Sequence, residues 1–260
     1  MTIGSFTLVR NEVLWIRAHI LSWLPWLDEC VFFDGNSTDG TLEVIRELRE
    51  SHKLGNRIKL FENRDCANLQ DDYVRVFNEC LRSLSTDYAI FAHCDMILDD
   101  PGNIRDLGAY HAYTTNLRSF AGEPGGDLLE VQGRGERWKN IYRLNDPDLG
   151  AHYFGHYGAW NEDFYFSEIT GKEHIFHGQN FDRYPYRVGD SWVKVLHYSD
   201  VRPYERRLGR MLSVLKNQGL GPEKAMEVAL KHPRVTLQSG EGFAFSRADY
   251  HPVFKEMANV

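Results

Sequence analysis

Two apolar runs that lead into acidic residues are the part of this chain best suited to chemistry. The first run, Val31 to Phe33, ends at Asp34, and a Gly/Asn/Ser turn and a helix start follow it. The second run, Tyr88 to Ala92, is followed closely by Asp95. In an open α/β sheet, ligands bind at the edge where the strands have their carboxyl ends. We therefore expect Asp34 and Asp95 to meet a ligand there.

The turn after Asp34 also has an ordinary structural explanation. Ser37, Thr38 and Asp39 can each cap a helix that begins near Thr41, and Asp-Gly-Asn-Ser strings commonly form turns. The second acidic run shifts the balance toward ligand binding, because two such strand ends in one domain are harder to explain by capping alone.

The spacing of apolar residues predicts the elements that position these acids. Up to about residue 100 the pattern alternates strand and helix three times and closes with a strand, which is typical of a doubly wound half-domain. The expected strands are Ser5–Val9, Glu29–Phe33, Ile58–Phe61 and Tyr88–Ala92. Later strands are expected at Leu128–Gln132, Asn140–Arg143 and Trp192–Tyr198, a loop at 150–158, and helices at Arg202–Gln218 and Pro222–Lys231.

Composition limits the class of protein. The chain has 260 residues and a net charge of −7, which suits one sizeable core and argues against nucleic acid as the main partner. Aromatic residues make up 13%, which suits sugar stacking but also an aromatic-rich core. Four cysteines without a CxxC pair argue against a zinc ribbon and a disulfide framework. We expect a cytoplasmic protein with neither a signal peptide nor a membrane-spanning helix.

Three segments together resemble the nucleotide-binding half of family 2 glycosyltransferases, which have the GT-A fold. They are Phe6–Glu12 (FTLVRNE), Asp34 within DGNSTDGT, and Ala92–Asp95 (AHCD). The resemblance covers residues 3 to 100 and is thin afterwards. The implied fold is α/β, with a GT-A-type, Rossmann-like mixed sheet flanked by helices and a helical C-terminal extension.

The resemblance also implies a division of the chain. Residues 1–200 would form the glycosyltransferase domain, with a nucleotide-binding half at 1–100 and an acceptor half at 101–200. Residues 201–260 would form the extension. In the family the strand-tip aspartate, here Asp34, hydrogen-bonds the base, and we expect uracil. The residues implied to contact the nucleotide sugar are Val9, Arg10, Glu12, Asp34, Asn68, Gln70, His93 and Cys94.

The metal-binding motif departs from the family pattern. Asp95 keeps the last position of the Asp-x-Asp motif, but His93 stands where the first aspartate is expected. The resemblance implies Mn²⁺ or Mg²⁺ on Asp95, with His197 at a strand end as a second ligand. Both ions prefer oxygen, although Mn²⁺ accepts imidazole more readily, so His93 would face ribose or metal. The alternative is that His93 packs at the strand end and no metal is used.

The triplet Asn161-Glu162-Asp163 looks like the x-Glu-Asp arrangement of inverting GT-A enzymes. Asp163 would then take the proton of the acceptor hydroxyl, and Glu162 would orient the acceptor. The alternative is a solvated acidic turn. Farther on, a run of arginines would by default form a solvated helix face, although it could hold diphosphate or an anionic membrane surface. Its members are Arg202, Arg206, Arg207 and Arg210.

The implied function is an inverting glycosyltransferase of polysaccharide biosynthesis. It would move a sugar from a nucleotide-diphosphate sugar to a glycan or lipid-linked acceptor, with peripheral contact at the inner membrane face left open. Three alternatives remain. A nucleotidyltransferase would normally open with a Gly-rich, basic phosphate loop, which is absent here. A non-catalytic protein that binds sugar nucleotides or glycans gains support from His93. A hydrolase of sugar nucleotides would consume the donor without an acceptor.

Overall fold

A computed structural model of the chain describes most of its length. The described residues are 1–62, 73–108, 110, 112–132, 136–144, 152–156, 162–167, 172–177, 188–217, 219–238 and 244–254.

The described part contains both helices and strands. The helices are α1 (Val13–Trp23), α2 (Thr41–Ser51), α3 (Tyr73–Ser83), α4 (Tyr204–Asn217), α5 (Pro222–Lys231) and α6 (Pro233–Thr236). The strands of the first half are β1 (Ile3–Val9), β2 (Glu29–Asp34), β3 (Ile58–Glu62), β4 (Tyr88–Phe91) and β5 (Met96–Asp100). Those of the second half are β6 (Ala112–Gly122), β7 (Leu128–Gln132), β8 (Glu136–Arg143), β9 (His152–His156), β10 (Glu162–Ser167), β11 (Lys172–His177), β12 (Val188–Val201) and β13 (Ala244–Ala248).

The first half contains a parallel sheet in the order β3-β2-β1-β4. Its register places Val9 beside Asp34 and Phe6 beside Phe91. The carboxyl ends of β1, β2 and β4 therefore lie at one edge of the sheet. The predicted alternation of strands and helices is confirmed over this half, and so is the common edge for the two acidic strand ends.

The inner strands β1, β2 and β4 are covered on both faces and mostly apolar, whereas the edge strand β3 is partly exposed. Successive side chains point to opposite faces, so β1 contributes Phe6 to one hydrophobic cluster and Ile3 and Val9 to another. The cluster around Phe6 includes Val76 of α3, whereas the other includes the apolar side of α1. Truncation of a buried phenylalanine such as Phe6, which is 0% exposed, costs about 3–5 kcal/mol of folding free energy.

The sheet continues beyond β4 with antiparallel strands. Its order is β13-β7-β6-β8-β4-β1-β2-β3, and β12 pairs antiparallel with β5 and parallel with β6. At the far edge, β13 pairs with β7, so the C-terminal segment contributes a strand as well as helices. A separate antiparallel sheet has the order β11-β10-β9.

Three local expectations were wrong. Residues 152–156 were expected in a loop but form β9, and β5 was not expected as a strand at all. β12 begins earlier and ends later than the predicted strand Trp192–Tyr198. β5 was missed because the strand that pairs with it, β12, lies about 100 residues farther along the chain, and β12 is longer than expected because it also pairs with β6. β9 pairs with the next strand, β10, although its Gly/His/Tyr-rich sequence favoured a loop.

The C-terminal helices are attached to the sheet by a buried arginine. Arg207 is 5% exposed, and its Nη1 donates to the Gly122 carbonyl oxygen at 2.9 Å while Nη2 donates to Val235 at 3.3 Å. It also pairs with Glu123 at 2.7 Å. The expectation of a solvated arginine face is therefore wrong for Arg207. None of the helices in the described ranges combines the length and apolarity needed to cross a bilayer.

Candidate functional site

Side-chain hydrogen bonds join the loops that follow β1 and β2. The Asn11 backbone N–H donates to Ser37 Oγ at 2.9 Å, and the Thr38 N–H donates to Asn11 Oδ1 at 2.8 Å. The Glu12 N–H donates to Thr41 Oγ1 at 2.8 Å. The N-cap of α2 is Gly40, which makes no side-chain cap hydrogen bond, so Ser37 and Thr38 hold the neighbouring loop instead of capping the helix as expected.

Asp34 lies at the tip of β2 and is 2% exposed. Its Oδ2 accepts a hydrogen bond from the Ser37 N–H at 3.0 Å, which fixes the orientation of the carboxylate. Its Oδ1 is buried, and no described group donates a hydrogen bond to it. A buried acceptor without a donor costs about 1–3 kcal/mol, so this oxygen is suited to a ligand N–H.

Arg202 bridges the buried Asp95 and the partly buried Glu12, which come from distant parts of the chain. Its Nη1 and Nη2 donate to the two carboxylate oxygens of Glu12 at 3.1 Å each, and Nη2 also donates to Asp95 Oδ2 at 2.9 Å. Its Nε donates to the Ser199 carbonyl oxygen at 2.9 Å. The Arg202 side chain is 12% exposed, so the expectation of a solvated face is wrong for this arginine too.

A local signal in the sequence could have separated Arg202 from the helix face. Arg202 precedes Pro203, and a residue before proline is biased away from helical conformation. The structure begins α4 at Tyr204, so Arg202 lies before the helix rather than on it.

The charges of this cluster are strongly coupled. Burial raises the pKa of Asp95, but the positive charges of His197, Arg202 and His93 lower it by more, and its pKa lies well below its usual range. Burial raises the pKa of Glu12 above its ordinary value, although Arg202 opposes the change. Burial lowers the pKa of Arg202, but Asp95 and Glu12 raise it by more, so the guanidinium stays charged.

Two histidines lie beside the free side of Asp95. The Nε2 atom of His197 is 3.4 Å from Asp95 Oδ1, because the pairing of β12 with β5 places His197 opposite Met96. The imidazole ring of His93 is nearly parallel to that of His197, with ring centroids 6.3 Å apart. The structure thus brings together His93, Asp95 and His197, three of the residues that the resemblance implied for the nucleotide and the metal.

The spacing of Asp95 and His197 fits two adjacent ligands of one divalent cation. In an octahedral complex with ligand distances of about 2.1 Å, neighbouring ligand atoms lie about 3 Å apart, close to the observed 3.4 Å. Asp95 Oδ1 is buried and accepts no hydrogen bond from a described group. No set of three or more His, Cys, Asp or Glu side chains in the described ranges is placed to hold a metal. A cation here would therefore need oxygen ligands from a substrate or water.

A cavity of about 360 Å³ opens over this cluster. Its lining residues are Leu8, Glu12, His93, Cys94, Asp95, His197, Arg202, Arg206 and Arg210. Glu12, His93, Cys94, Asp95 and His197 were all predicted site residues, and the structure places them together. The cavity has the size of a small-ligand site, although a complete nucleotide sugar would extend beyond it.

The remaining predicted residues lie elsewhere. Val9 is 0% exposed and packs in the core, while its neighbour Leu8 lines the cavity. Arg10 is exposed on the loop after β1, and Asp34 lies at the end of the adjacent strand. Asn68 and Gln70 fall outside the described residues.

The predicted catalytic acids lie on a strand of the separate sheet. Glu162 and Asp163 begin β10, where Glu162 is opposite His177 and Asp163 is opposite His156 and Phe176. Their side chains lie outside what the structure describes, so their roles stay predictions.

Cys94 lies within the cluster but has no reactive character. Burial raises the pKa of its thiol well above the usual value, and the nearby acids Glu12 and Asp95 raise it further. The thiol therefore stays protonated near neutral pH and acts as a small buried side chain.

Comparisons with known proteins identify the type of fold. No protein-family model matches the chain, and neither does any curated protein. Among solved structures, the mannosyltransferase PcManGT from Pyrobaculum calidifontis, in complex with GDP-Man and Mn²⁺, is 12% identical. The match covers 99% of this chain and 78% of that one, with a TM-score of 0.50. The chain has a GT-A-type fold.

Two further solved structures match with lower scores. S. aureus TarS 1–349 in complex with UDP is 16% identical over 90% of this chain and 72% of that one, with a TM-score of 0.45. Glucosyl-3-phosphoglycerate synthase from Mycobacterium tuberculosis, in complex with phosphoglyceric acid, is 17% identical. That match covers 85% of this chain and 81% of that one, with a TM-score of 0.44.

Proposed function

We propose that this chain is an inverting glycosyltransferase that uses a nucleotide-diphosphate sugar and a glycan or lipid-linked acceptor. The observation that carries the proposal is the placement of two buried acids at one edge of a GT-A sheet. Asp34 presents an oxygen without a donor, and Asp95 presents one beside His197. These two groups supply what a nucleoside diphosphate requires, which is an acceptor for the base and a cation site for the phosphates.

On the donor side, each residue has a distinct task. Asp34 Oδ1 accepts a hydrogen bond from a base N–H, as the N3–H of uracil would offer. Asp95 and His197 would hold Mn²⁺ or Mg²⁺, and the bound ion would supply positive charge for the diphosphate. PcManGT, the neighbour with the same fold, was solved with GDP-Man and Mn²⁺. Guanine is therefore the alternative base to test.

The proposed reaction is a single displacement at the anomeric carbon. Asp163 accepts the proton of the acceptor hydroxyl as that oxygen forms its bond to the sugar, and Glu162 orients the acceptor. The bond between the sugar and the diphosphate breaks at the same time, which inverts the anomeric configuration. A bound divalent cation would offset the charge of the departing diphosphate. Asp95 suits this environment because its pKa lies well below its usual range, which keeps it ionised.

A thermal-shift panel tests the donor side first. UDP, GDP, CDP and TDP are each added with and without Mn²⁺. We expect stabilisation by one diphosphate, UDP before the others, and only when Mn²⁺ is present. Stabilisation without metal would remove the metal from the proposal but keep the nucleotide. If none of the four stabilised the protein, the donor site would be wrong.

Product analysis tests the transfer step. The radiolabelled sugar nucleotide selected by the panel is incubated with glycan and lipid-linked acceptors, and transferred sugar is separated from free sugar. Free sugar alone would indicate a hydrolase, and binding without turnover would indicate a non-catalytic protein. Asp95→Ala and Asp163→Ala should each abolish transfer, so full activity in both variants would overturn the proposal.

A further inference from the structure

The two oxygens of the Asp95 carboxylate have different surroundings. Oδ2 accepts a hydrogen bond from Arg202 Nη2 at 2.9 Å, whereas Oδ1 accepts none from a described group and faces His197. The position proposed for a cation is therefore next to a permanently charged guanidinium. Glu12 holds that guanidinium in place through two parallel hydrogen bonds of 3.1 Å each.

The arginines above the cluster add further positive charge. Arg206 and Arg210 line the same cavity and donate to the carbonyl oxygens of Asn11 at 3.1 Å and Ser199 at 2.8 Å. Neither forms an ion pair with a carboxylate in the part of the chain that the structure describes. The acidic residues that line the cavity are Glu12 and Asp95. Arg202 already forms ion pairs with both of them.

A divalent cation that enters this site alone is attracted by Asp95 and Glu12, but the three guanidinium groups on the lining outnumber these two carboxylates and repel it. Its charge would lie close to Arg202, in surroundings that screen charge less than bulk water because Asp95 is buried and the Arg202 side chain is only 12% exposed. A nucleoside diphosphate changes the balance, because its phosphates bring negative charge and oxygen ligands together. The charges of the site therefore favour binding of the divalent cation together with the nucleoside diphosphate over binding of the cation alone.

We propose that Arg202 is an internal counter-cation that keeps the affinity of the free site for divalent metal low and makes metal binding depend on a bound diphosphate. Arg202 acts through Asp95, so it is a positioning residue rather than a catalytic one. Glu12 orients Arg202 and, through its own charge, limits the repulsion. The inference rests on the proposed function only for the identity of the anion, a nucleoside diphosphate.

Direct Mn²⁺ binding provides the test. The dissociation constant of Mn²⁺ is measured by electron paramagnetic resonance on the full chain, alone and with UDP or inorganic pyrophosphate. In the wild-type protein we expect weak binding alone and at least about tenfold tighter binding with the anion. Arg202→Gln should strengthen Mn²⁺ binding to the free protein by about tenfold and reduce its dependence on the anion. A merely structural role for Arg202 would weaken Mn²⁺ binding instead.

Three further variants separate charge from geometry. Arg202→Lys retains the charge and should keep the weak wild-type affinity. Arg210→Gln removes a charge from the same cavity without a contact to Asp95, so its effect should be clearly smaller than that of Arg202→Gln. Glu12→Gln leaves the guanidinium less compensated and should weaken Mn²⁺ binding. Glu12→Gln should thus change the Mn²⁺ affinity in the opposite direction to Arg202→Gln. Its measurement tests the inference even if the Arg202→Gln variant does not fold.

The outcomes distinguish this inference from the proposed function. Tight Mn²⁺ binding to the free wild-type protein, or no gain of affinity in a folded Arg202→Gln variant, would overturn the inference and leave sugar transfer intact. Absence of Mn²⁺ binding even with UDP and pyrophosphate would also overturn it. If transfer fails with every acceptor but Mn²⁺ and pyrophosphate bind cooperatively through Arg202, the inference holds and the glycosyltransferase proposal fails.

Discussion

The Asn11 side chain accepts a hydrogen bond from the Thr38 backbone N–H at 2.8 Å, and this contact joins the loops after β1 and β2. Asn11 has a φ of 57°, a left-handed conformation that asparagine tolerates better than most residues. The loop after β1 leads to Glu12, and the loop after β2 begins directly after Asp34, so the contact joins the two parts of the candidate donor site. The position of Glu12 therefore depends on the position of the loop that follows Asp34.

Substitution of Asn11 should separate the hydrogen bond from the backbone conformation. Asn11→Gly loses the side-chain acceptor but accepts the positive φ, whereas Asn11→Ala loses the acceptor and adds about 1 kcal/mol of backbone strain. We expect both variants to bind the nucleoside diphosphate more weakly and Asn11→Ala to be the less stable. Urea unfolding and nucleotide titration provide the measurements. Equal stability of the two variants would contradict the strain argument.

Substitution of Asp34 should weaken nucleotide binding with little loss of stability. Asp34→Asn keeps an oxygen for the Ser37 N–H but replaces the other oxygen with an NH₂ group, which cannot accept a hydrogen bond from a base. Because Oδ1 accepts no hydrogen bond from a described group, folding loses little. We expect about tenfold or greater loss of diphosphate affinity, measured by calorimetry. Unchanged affinity in a stably folded variant would exclude Asp34 as the base contact.

The parallel half of the fold could be predicted because its signals are local. The strands that end at Val9 and Asp34 are buried on both faces, so each consists mainly of apolar residues and is followed by polar loop residues. Asp95 was recognised by the same pattern. These positions follow from short segments of sequence and need no knowledge of distant contacts.

The role of Arg202 could not be predicted in the same way. Its acidic partners Glu12 and Asp95 lie 190 and 107 residues away in the chain, and no periodic pattern connects residues at such separations. β5 was missed for the same reason, because the strand that pairs with it, β12, comes much later in the chain. The contacts of Arg202 with Glu12 and Asp95, which the sequence did not predict, thus depend on contacts between distant parts of the chain.

The predicted catalytic pair can be tested by amide substitution. Asp163→Asn removes the proton acceptor and should lower kcat by about 10²-fold or more, because general base catalysis contributes on that scale. Glu162→Gln is the matched control and should mainly raise the KM for the acceptor, since Glu162 is proposed to orient it. Both variants should bind the nucleoside diphosphate like the wild-type protein. If Asp163→Asn retained wild-type kcat, another group would have to accept the proton.

A buried histidine should make folding stability depend on pH. His19 is 0% exposed and lies between Thr7 and Met96, with Nε2 at 3.1 Å from Thr7 Oγ1 and Nδ1 at 2.7 Å from the Met96 carbonyl oxygen. Nδ1 therefore donates to the carbonyl, and Nε2 of the neutral ring accepts from the hydroxyl. Burial lowers the pKa of His19 from 6.5 to about 4, although the hydrogen bond to Met96 opposes the change.

The sign of the pH effect follows from the protons bound in each state. Between pH 6.5 and about 4 the unfolded chain protonates His19 while the folded chain does not, so stability falls as the pH decreases through this range. The loss amounts to about 3 kcal/mol across that window. His19→Gln should remove this contribution, whereas His52→Gln, at a partly exposed histidine outside the core, should not. Urea unfolding at several pH values between 4.5 and 7 measures it, and an unchanged slope in His19→Gln would show that His19 is not the responsible group.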